Sequence, residues 1–508
     1  MPAPFFTVND SDFTQLEGVY IKETLPPATV LAVSLNTVGV YGTTLKGPVG
    51  IPTLIGSEAR FVDVFGGGYL AGVNLNKVWT SILNKGFSSL YVSRVAAAAA
   101  VASNFTVETT IGGAGTPVGT ISASSVGSWG NSLAFKILAA TNAVATSFNL
   151  SIRDSITGKT WLYENIELTT GDNSGALIGL DAAAPITFLK LSAGRPYNSV
   201  ASTDGSDTFG YTQLGTTVAG FTSVAGADGT VADNDYIGAG VGINTLATYK
   251  GIGVIYCAEY TSSTLNAITK TLAAASSDRM FIIGAAMGNT TVATAVTDVA
   301  AYRYDRMIYA YNHPYTIDPV LGTAVQVRPE SWMACILANT DVDIHPGEED
   351  TKRFLAGITA LTQTALTRAD YISLKAAGIA ALEIDLGNPV FVSGPVTDLT
   401  PGKREITRRR MADFLQLSVA YSLRYHVKKK NTDQRRTAIA ATIKGFLSGL
   451  KRQGRVVQAF QVDMNILNSP ADVSNGTQRI LMAVQLLPHM LSIVLTTEIG
   501  TGVTIVTN

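Results

Sequence analysis

The side chains best able to do chemistry are a run of cations near the C-terminal end of the chain. Between Lys403 and Arg455 there are fifteen lysine and arginine residues against three acidic residues, although the whole chain has a formal net charge of −1. The remainder therefore carries 22 basic and 35 acidic residues. With a local net charge of +12, the cations of this segment repel one another. Such a concentration of charge is typical of a surface that meets an acidic partner. An ordinary solvated basic face and nucleic-acid binding are the alternatives.

The cations are predicted to lie on two consecutive helices. In the first helix Phe414, Leu417, Tyr421 and Tyr425 recur at positions i, i+3, i+7 and i+11, which indicates an apolar stripe. Placed in that stripe, the tyrosines belong to the core. The cations beside them then lack the exposed aromatic platforms that favour nucleic-acid binding.

The second predicted helix follows Asn431, which with Gln434 resembles a capping pair. Its predicted apolar face consists of Ile439, Ile443, Phe446, Leu447 and Leu450. The candidate contact cations on the two helices are Arg408, Arg409, Arg410, Arg424, Lys428, Lys429, Lys430, Arg435, Arg436, Lys444, Lys451 and Arg452.

No set of residues predicts catalysis. The glycine-rich run 65–72 follows a helix pattern and lacks the GK[ST] ending of a phosphate loop, so a turn is favoured. His313 and His345 each precede a proline, and no serine lies in a GxSxG pattern. Asp341, Asp343 and the acidic run 348–350 favour a solvated loop over a cation site. We expect no enzyme activity, no cofactor and no metal.

Cellular location is constrained by the cysteines, the N-terminus and the apolar runs. Cys257 and Cys335 show no disulfide or CxxC spacing and are expected to be buried, reduced thiols. The N-terminus has no signal-peptide pattern. The longest apolar run, residues 480–497, is split by Pro488 and predicts two strands, not a membrane helix.

Composition along the chain predicts three domains and two arms. Alternating strand and helix patterns over residues 25–95 and 206–390 predict one discontinuous α/β domain. Short alternating runs with glycine-rich turns predict an inserted all-β domain over residues 96–205. The basic helices and the strands after them predict an α+β domain over residues 391–495. Residues 1–24 and 496–508 remain as extended terminal arms.

Local patterns within the α/β domain are specific enough to test. Ser57 is the expected cap of a helix reaching Phe65, and a second helix is predicted over residues 73–86. Leu90–Val95 is predicted to be a central parallel strand. A later helix is predicted to carry Trp332, Ile336 and Leu337 on its apolar face.

Each arm contains a short strand pattern with no local partner. Val19, Tyr20 and Ile21 are separated from the next element by Pro26 and Pro27, and residues 501–506 lie close to the last residue, Asn508. A terminal strand cannot satisfy its own backbone groups, so each needs a sheet edge in this chain or in another.

Several motifs follow one another along the chain: EGVYIKE near the start, VGVYGTTLKGPVG with the predicted helix ending at FGG, GSWGNSL, and GADG followed by DYIG. The series continues through ITRRRMADFLQLSV, KKKNTD, IKGFLSGLKRQG and VVQAFQVD. In this order, these segments resemble the contractile tail sheath proteins of bacteriophages and related injection machines. Glu17 stands where the family usually has a proline before Gly-Val-Tyr, and PHMLSIVL departs from the family's terminal pattern.

The resemblance implies an outer α/β domain of subtilisin-like topology without a protease triad, and an inner C-terminal domain that touches a tail tube. It implies a helical homo-oligomer with a tail tube, baseplate and tail terminator as partners, in a virion tail assembled in the bacterial host cytoplasm. No direct contact with nucleic acid or membrane is expected. Terminal strands would join neighbouring subunits, and the candidate residues for these links are Val19, Tyr20, Ile21, Val457, Ala459, Phe460, Val462, Leu481, Val484, Val503 and Ile505.

Overall fold

The computed structural model describes the strands Phe5–Thr7 and Val19–Ile21 and most of the chain between residues 34 and 491. The described ranges are 34–67, 75, 90–110, 115–169, 171–179, 181, 183–197, 211–287, 291–318 and 322–491. The chain divides into a larger unit, Ser34–Asp413, and a smaller unit made of Met1–Val33 and Phe414–Asn508. The predicted helix over residues 73–86 lies, apart from Leu75, outside the described residues.

The larger unit is built on an eight-stranded sheet, called here the main sheet. Its six inner strands are parallel, and an antiparallel strand lies at each edge. Leu90–Val95 is parallel as predicted but is second from one edge and not central. In sheet order the strands are Asn388–Phe391, Ile379–Asp385, Met307–Tyr311, Met280–Gly284, Val254–Cys257, Val38–Thr43, Leu90–Val95 and Thr53–Ile55.

Both faces of the main sheet are buried, which explains why its strands read as continuous apolar runs. Val254 and Tyr256 enter one core with Trp332, whereas Ile255 and Cys257 enter a second core on the other face. The helix Glu330–Asn339 is buried on all sides, beyond its predicted apolar face. The other helices of these layers are Glu58–Phe65, Asp233–Ile237, Gly242–Thr248, Ser263–Ala275, Val292–Val299 and Arg368–Ala376.

Several local predictions for this unit are confirmed. Ser57 caps the helix Glu58–Phe65 by accepting a hydrogen bond from the Arg60 amide at 3.2 Å. Cys257 and Cys335 are buried free thiols. Two 3-10 turns, Ala300–Tyr302 and Glu349–Leu355, and a small sheet of Pro314–Ile317, Ala324–Gln326 and Ala360–Leu361 complete the layers.

The segment between Val95 and the helix Asp233–Ile237 forms two four-stranded antiparallel sheets around one core. Thr212–Gln213 and Ser223–Val224 belong to these sheets although they follow the predicted boundary at residue 205. A short helix, Ser174–Leu177, and a 3-10 turn, Ser128–Ser132, connect strands. In sheet order the strands are Thr160–Glu167, Ser147–Asp154, Leu133–Ala139 and Thr212–Gln213, and Ile186–Lys190, Pro117–Ala123, Asn104–Glu108 and Ser223–Val224.

Buried Arg94 joins two of the sequence motifs behind the family resemblance. Its guanidinium donates to the Gly47 carbonyl at 2.9 Å in the Gly-Pro loop and to the Val126 carbonyl at 2.8 Å beside the Trp-Gly-Asn turn. Burial lowers the pKa of Arg94 to about 10. One arginine side chain therefore holds the loop and the turn together through separate donors of its guanidinium.

The smaller unit contains the second basic helix and a two-stranded sheet. The helix Ile406–Leu423 crosses the division between the units, and a 3-10 turn, Arg424–His426, follows it. The next helix, Asp433–Gln453, is capped by Thr432, not by Asn431, and buries Ile439, Ile443 and Leu447. The other described elements of this unit are the strands Phe5–Thr7, Val19–Ile21, Val457–Asp463 and Leu481–Leu486 and the helix Pro470–Ser474. Among the described residues, no helix is long and apolar enough to cross a membrane.

Candidate functional site

The predicted basic surface divides into buried and exposed cations. Arg410 is only 2% exposed, and its guanidinium donates to the Leu337 carbonyl at 2.7 Å and the Thr340 carbonyl at 3.3 Å. These carbonyls lie at the C-terminal end of the helix Glu330–Asn339, where a cation satisfies unpaired acceptors and the helix dipole. Arg410 therefore leaves the set of contact candidates.

Arg409 is also used inside the larger unit. Its guanidinium lies 2.6 Å from the carboxylate of Asp413 and 3.2 Å from that of Asp305. Arg306 approaches the same Asp413 carboxylate at 2.8 Å. Arg408 is partly exposed and lies 3.8 Å from Glu405. The first basic helix therefore has fewer unpaired, exposed cations available to a partner than its sequence indicates.

The smaller unit carries the exposed cations. Arg435 is partly buried, and Arg436 is paired with Asp433. Apart from Arg436, none of the predicted cations in this unit forms an ion pair with a described acidic residue, although Asp463 lies near Lys444. The exposed members of the predicted set are Arg424, Lys428, Lys429, Lys430, Lys444, Lys451 and Arg452.

The predicted tyrosine stripe is wrong. Tyr421 is 39% exposed and Tyr425 is 56% exposed. The Arg424 guanidinium lies 4.1 Å from the Tyr421 ring centroid, and the Lys429 ammonium lies 3.2 Å from that of Tyr425. Tyr421 leaves the core because the helix buries a different face, the one that carries Met411, Leu415 and Val419. The helix ends at Leu423, so the helical spacing does not continue to Tyr425. Their exposure removes the argument that the cations lack aromatic neighbours.

A cavity of about 280 Å³ opens among these cations. It lies between the turn that follows the first helix, the start of the second helix and the segment before the strand Leu481–Leu486. The lining residues are Leu423, His426, Val427, Lys428, Lys429, Lys430, Asn431, Arg435, Ile439, Gly476, Gln478 and Ile480.

The strands predicted to receive neighbours form a two-stranded antiparallel sheet. Phe460 pairs with Val484, and Val462 pairs with Met482. Among the described residues this sheet has two strands, so each strand has one edge without a partner strand. An unpaired edge presents free amides and carbonyls to an incoming strand. The candidate residues Val457, Ala459, Phe460, Val462, Leu481 and Val484 all lie in this sheet.

The N-terminal strand has a partner within the chain. Val19, Tyr20 and Ile21 pair in parallel with Phe5–Thr7, which corrects the expectation of a strand without a partner. Within the part of the chain that the structure describes, this sheet has two strands, so Val19–Ile21 keeps one edge without a partner strand. Val503 and Ile505, in the other arm, lie outside the described residues.

The described residues do not bring a catalytic set together. The ring of buried His313 contacts the Ala285 carbonyl at 3.2 Å, and burial lowers the pKa of His313 to about 4. No group of three or more histidine, cysteine, aspartate or glutamate residues in the described chain could hold a metal ion.

Sequence reasoning missed the buried carboxylate of Glu259. It accepts hydrogen bonds from the Thr43 amide, the Thr43 hydroxyl and the Tyr236 hydroxyl at 2.6, 2.9 and 2.8 Å. Burial raises the pKa of Glu259 to about 7. Its position directly after a predicted strand was the available signal. Because its oxygens accept hydrogen bonds from groups inside the fold, this carboxylate has a structural role next to the strand Val254–Cys257.

No family model matches the sequence, and no curated protein matches it. Solved structures do match its fold. A sheath tail protein from Desulfitobacterium hafniense has a TM-score of 0.58 at 15% identity, covering 92% of this chain and 100% of that protein. A sheath tail protein from Listeria innocua has a TM-score of 0.59 at 12% identity, and the alignment covers 89% of this chain and 95% of that protein.

A third match is the helical sheath of the anti-feeding prophage in its contracted state. Its TM-score is 0.55 at 13% identity, and the alignment covers 96% of this chain and 99% of that one. Because the alignment covers almost all of both chains, the likeness includes the α/β layers, the antiparallel insert and the C-terminal elements. This chain therefore has the fold of the sheath proteins of contractile tails and contractile injection systems.

Proposed function

We propose that this chain is the structural subunit of a contractile tail sheath. It polymerises helically around a tail tube, stores free energy in the extended state and contracts to drive the tube through the host envelope. The observation that carries the proposal is the fold match along nearly the full length of one subunit of a contracted sheath. Sheath tail proteins from two bacteria support it.

Subunits are linked by exchange of terminal strands. The arms of one copy add to the open edges of the sheet Val457–Asp463 and Leu481–Leu486 in another. A short added strand makes a few ladder hydrogen bonds, each worth about 0.5–1.5 kcal/mol net. Repeated through a lattice of identical heterologous contacts, these links hold a cylinder together while its subunits move as rigid bodies.

The exposed cations of the smaller unit line the bore and face an acidic tube. Exposed ion pairs are weak, about 0–1 kcal/mol each, and salt screens them. Many weak ion pairs together hold the sheath subunits in register with the tube in the extended state. These ion pairs break when the sheath widens. Contraction then needs no nucleotide hydrolysis, because the subunit lattice moves to a lower free-energy arrangement. Baseplate and terminator proteins would close the two ends.

Electron microscopy of the purified chain tests the assembly. The full chain is expected to form hollow cylinders, whereas deletion of residues 1–22 should leave a soluble monomer. Circular dichroism provides the folding control for the truncated chain. Cylinders of normal form from the truncated chain would contradict the strand exchange.

Nucleic-acid binding is the second candidate function, because Tyr421 and Tyr425 are exposed beside cations. It predicts salt-sensitive retention of DNA by the full chain. A hydrolase is disfavoured, since the described residues assemble no nucleophile with a base.

A further inference from the structure

The cavity in the smaller unit concentrates positive charge without compensation. Lys428, Lys429, Lys430 and Arg435 line it, and no acidic residue does. None of these four cations is in an ion pair with a described residue. Burial lowers the pKa of His426, and the charges of Arg435 and Lys429 lower it further. Because four cations and no acidic residue line the cavity, its potential is positive and favours an anion.

The cavity also holds buried polar atoms without partners among the described residues. They include both ring nitrogens of His426, Nδ2 of Asn431 and Nε of Arg435. Buried polar groups are normally hydrogen-bonded, and leaving one unpaired costs about 1–3 kcal/mol. At least three of these atoms are donors, which matches a ligand with several acceptor oxygens.

One unpartnered atom is an acceptor. Gln478 donates through Nε2 to the carbonyls of Met464 at 2.9 Å and Arg479 at 3.0 Å, and these two bonds fix which side of the amide is oxygen. Its Oε1 is buried and has no described partner. The ligand should therefore carry an N–H donor as well as anionic oxygens. A peptide with carboxylate side chains meets both conditions, whereas the sugar-phosphate backbone of DNA presents acceptors only.

The chain itself contains such a peptide. Its first 21 residues include Asp10, Asp12 and Glu17 and no lysine or arginine. We propose that the acidic segment 10–17 of a second copy binds in this cavity. The proposal rests on the proposed strand exchange and adds a contact that strand pairing alone does not supply.

The cavity lies where this segment would arrive. Gln478 and Ile480 directly precede the strand Leu481–Leu486, whose open edge is a proposed acceptor for Val19–Ile21. Glu17 precedes Val19 by two residues, or about 7 Å of extended chain. If the incoming strand runs parallel to Leu481–Leu486, Glu17 reaches the cavity. A three-residue strand by itself specifies its direction and its register only weakly. Charge pairing in the cavity would select one direction and one register for the incoming strand.

Charge reversal in the full chain tests this contact. Lys428→Glu, Lys429→Glu and Lys430→Glu together should abolish pelletable polymers, as should Asp10→Lys, Asp12→Lys and Glu17→Lys together. Mixing the two reversed proteins should restore polymers, because a reversed arm then meets a reversed cavity. The matched control reverses Lys444, Lys451 and Arg452, which are exposed but do not line the cavity. Normal polymers from the cavity variant, with loss only of tube binding, would overturn the proposal.

Zero-length carbodiimide crosslinking identifies the occupant without requiring cylinders. In a mixture of isotopically heavy and light chains, crosslinks from Asp10, Asp12 or Glu17 to Lys428–Lys430 should join heavy to light peptides. If these crosslinks join only peptides of the same isotope, the cavity binds the arm of its own chain. If no crosslink joins the segment 10–17 to Lys428–Lys430, the segment does not bind in the cavity. If deletion of residues 1–22 leaves polymers intact, the proposed strand exchange fails. If that deletion abolishes polymers and cavity reversal does not, only the cavity proposal fails.

Discussion

Arg306 and Asp413 lie 107 residues apart in sequence, yet Nη2 of the arginine is 2.8 Å from Oδ1 of the aspartate. Arg409 donates to the same oxygen at 2.6 Å, and Asp305 lies 3.2 Å from Arg409. Two arginines and two aspartates therefore form one network inside the larger unit. A cation predicted to face a partner instead neutralises a buried acid of its own chain.

Asp413→Asn should destabilise the larger unit. The substitution removes the buried negative charge but leaves two guanidinium groups in place, and breaking a buried pair costs about 3–5 kcal/mol. Urea unfolding followed by tryptophan fluorescence measures the loss. Asp350→Asn, an exposed position in the same unit, is the control and should change the free energy of unfolding little. Equal curves for both variants would contradict a structural role for the network.

Arg410→Ala should lower the free energy of unfolding by about 3 kcal/mol, because at least two buried carbonyls lose their donors at about 1–3 kcal/mol each. Arg410→Lys should recover only part of the loss, since an ammonium lacks the fork that reaches several carbonyls. Lys428→Ala, which removes an exposed cation, is the stability control. An unchanged denaturation midpoint for Arg410→Ala would show that the helix end is satisfied by other groups.

Glu259 should make stability depend on pH. Its pKa of about 7 in the folded chain lies above the ordinary value of 4.5, so the folded state binds more protons than the unfolded state between these limits. The free energy of unfolding should therefore fall as the pH rises from 4.5 to 7, by a few kcal/mol at most. Denaturation at a series of pH values measures this slope.

Glu259→Gln should remove that contribution to the slope and be more stable than the natural chain at pH 8. The amide imitates the protonated carboxyl, because its oxygen accepts from the Thr43 amide and the Tyr236 hydroxyl and its NH2 donates to the Thr43 hydroxyl. Glu349→Gln, at an exposed position, is the control. A slope that survives Glu259→Gln would assign the dependence to another group.

Reversing Lys444, Lys451 and Arg452 to glutamate should prevent co-assembly with an acidic tail tube and leave self-assembly intact. The proposed bore loses its charge complementarity, and the remaining grip should weaken steeply with added salt. Co-sedimentation with the tube measures binding. Lys250→Glu with Lys375→Glu provides a control at exposed positions of the larger unit. Undiminished co-sedimentation of the triple variant would place the tube contact elsewhere.

Local signals in the sequence predicted elements well. Ser57 marks a helix start because its side chain can satisfy an amide three residues later, and this needs no distant partner. Ile379–Asp385 and Asn388–Phe391 pair antiparallel because only two residues separate them, which is again a local constraint. The cap of the helix Asp433–Gln453 was misplaced by one residue, because Asn431 and Thr432 are both good capping residues.

The sequence by itself determined the alternating strands and helices, the antiparallel insert and the concentration of positive charge between Lys403 and Arg455. Only the tertiary structure decided what each cation does. Arg410 and Lys428 are equally charged in the sequence, but Arg410 meets carbonyls of Leu337 and Thr340, whereas Lys428 faces solvent at a cavity. The free energy of a charge depends on the dipoles and water around it, and those neighbours come from residues about 70 positions away.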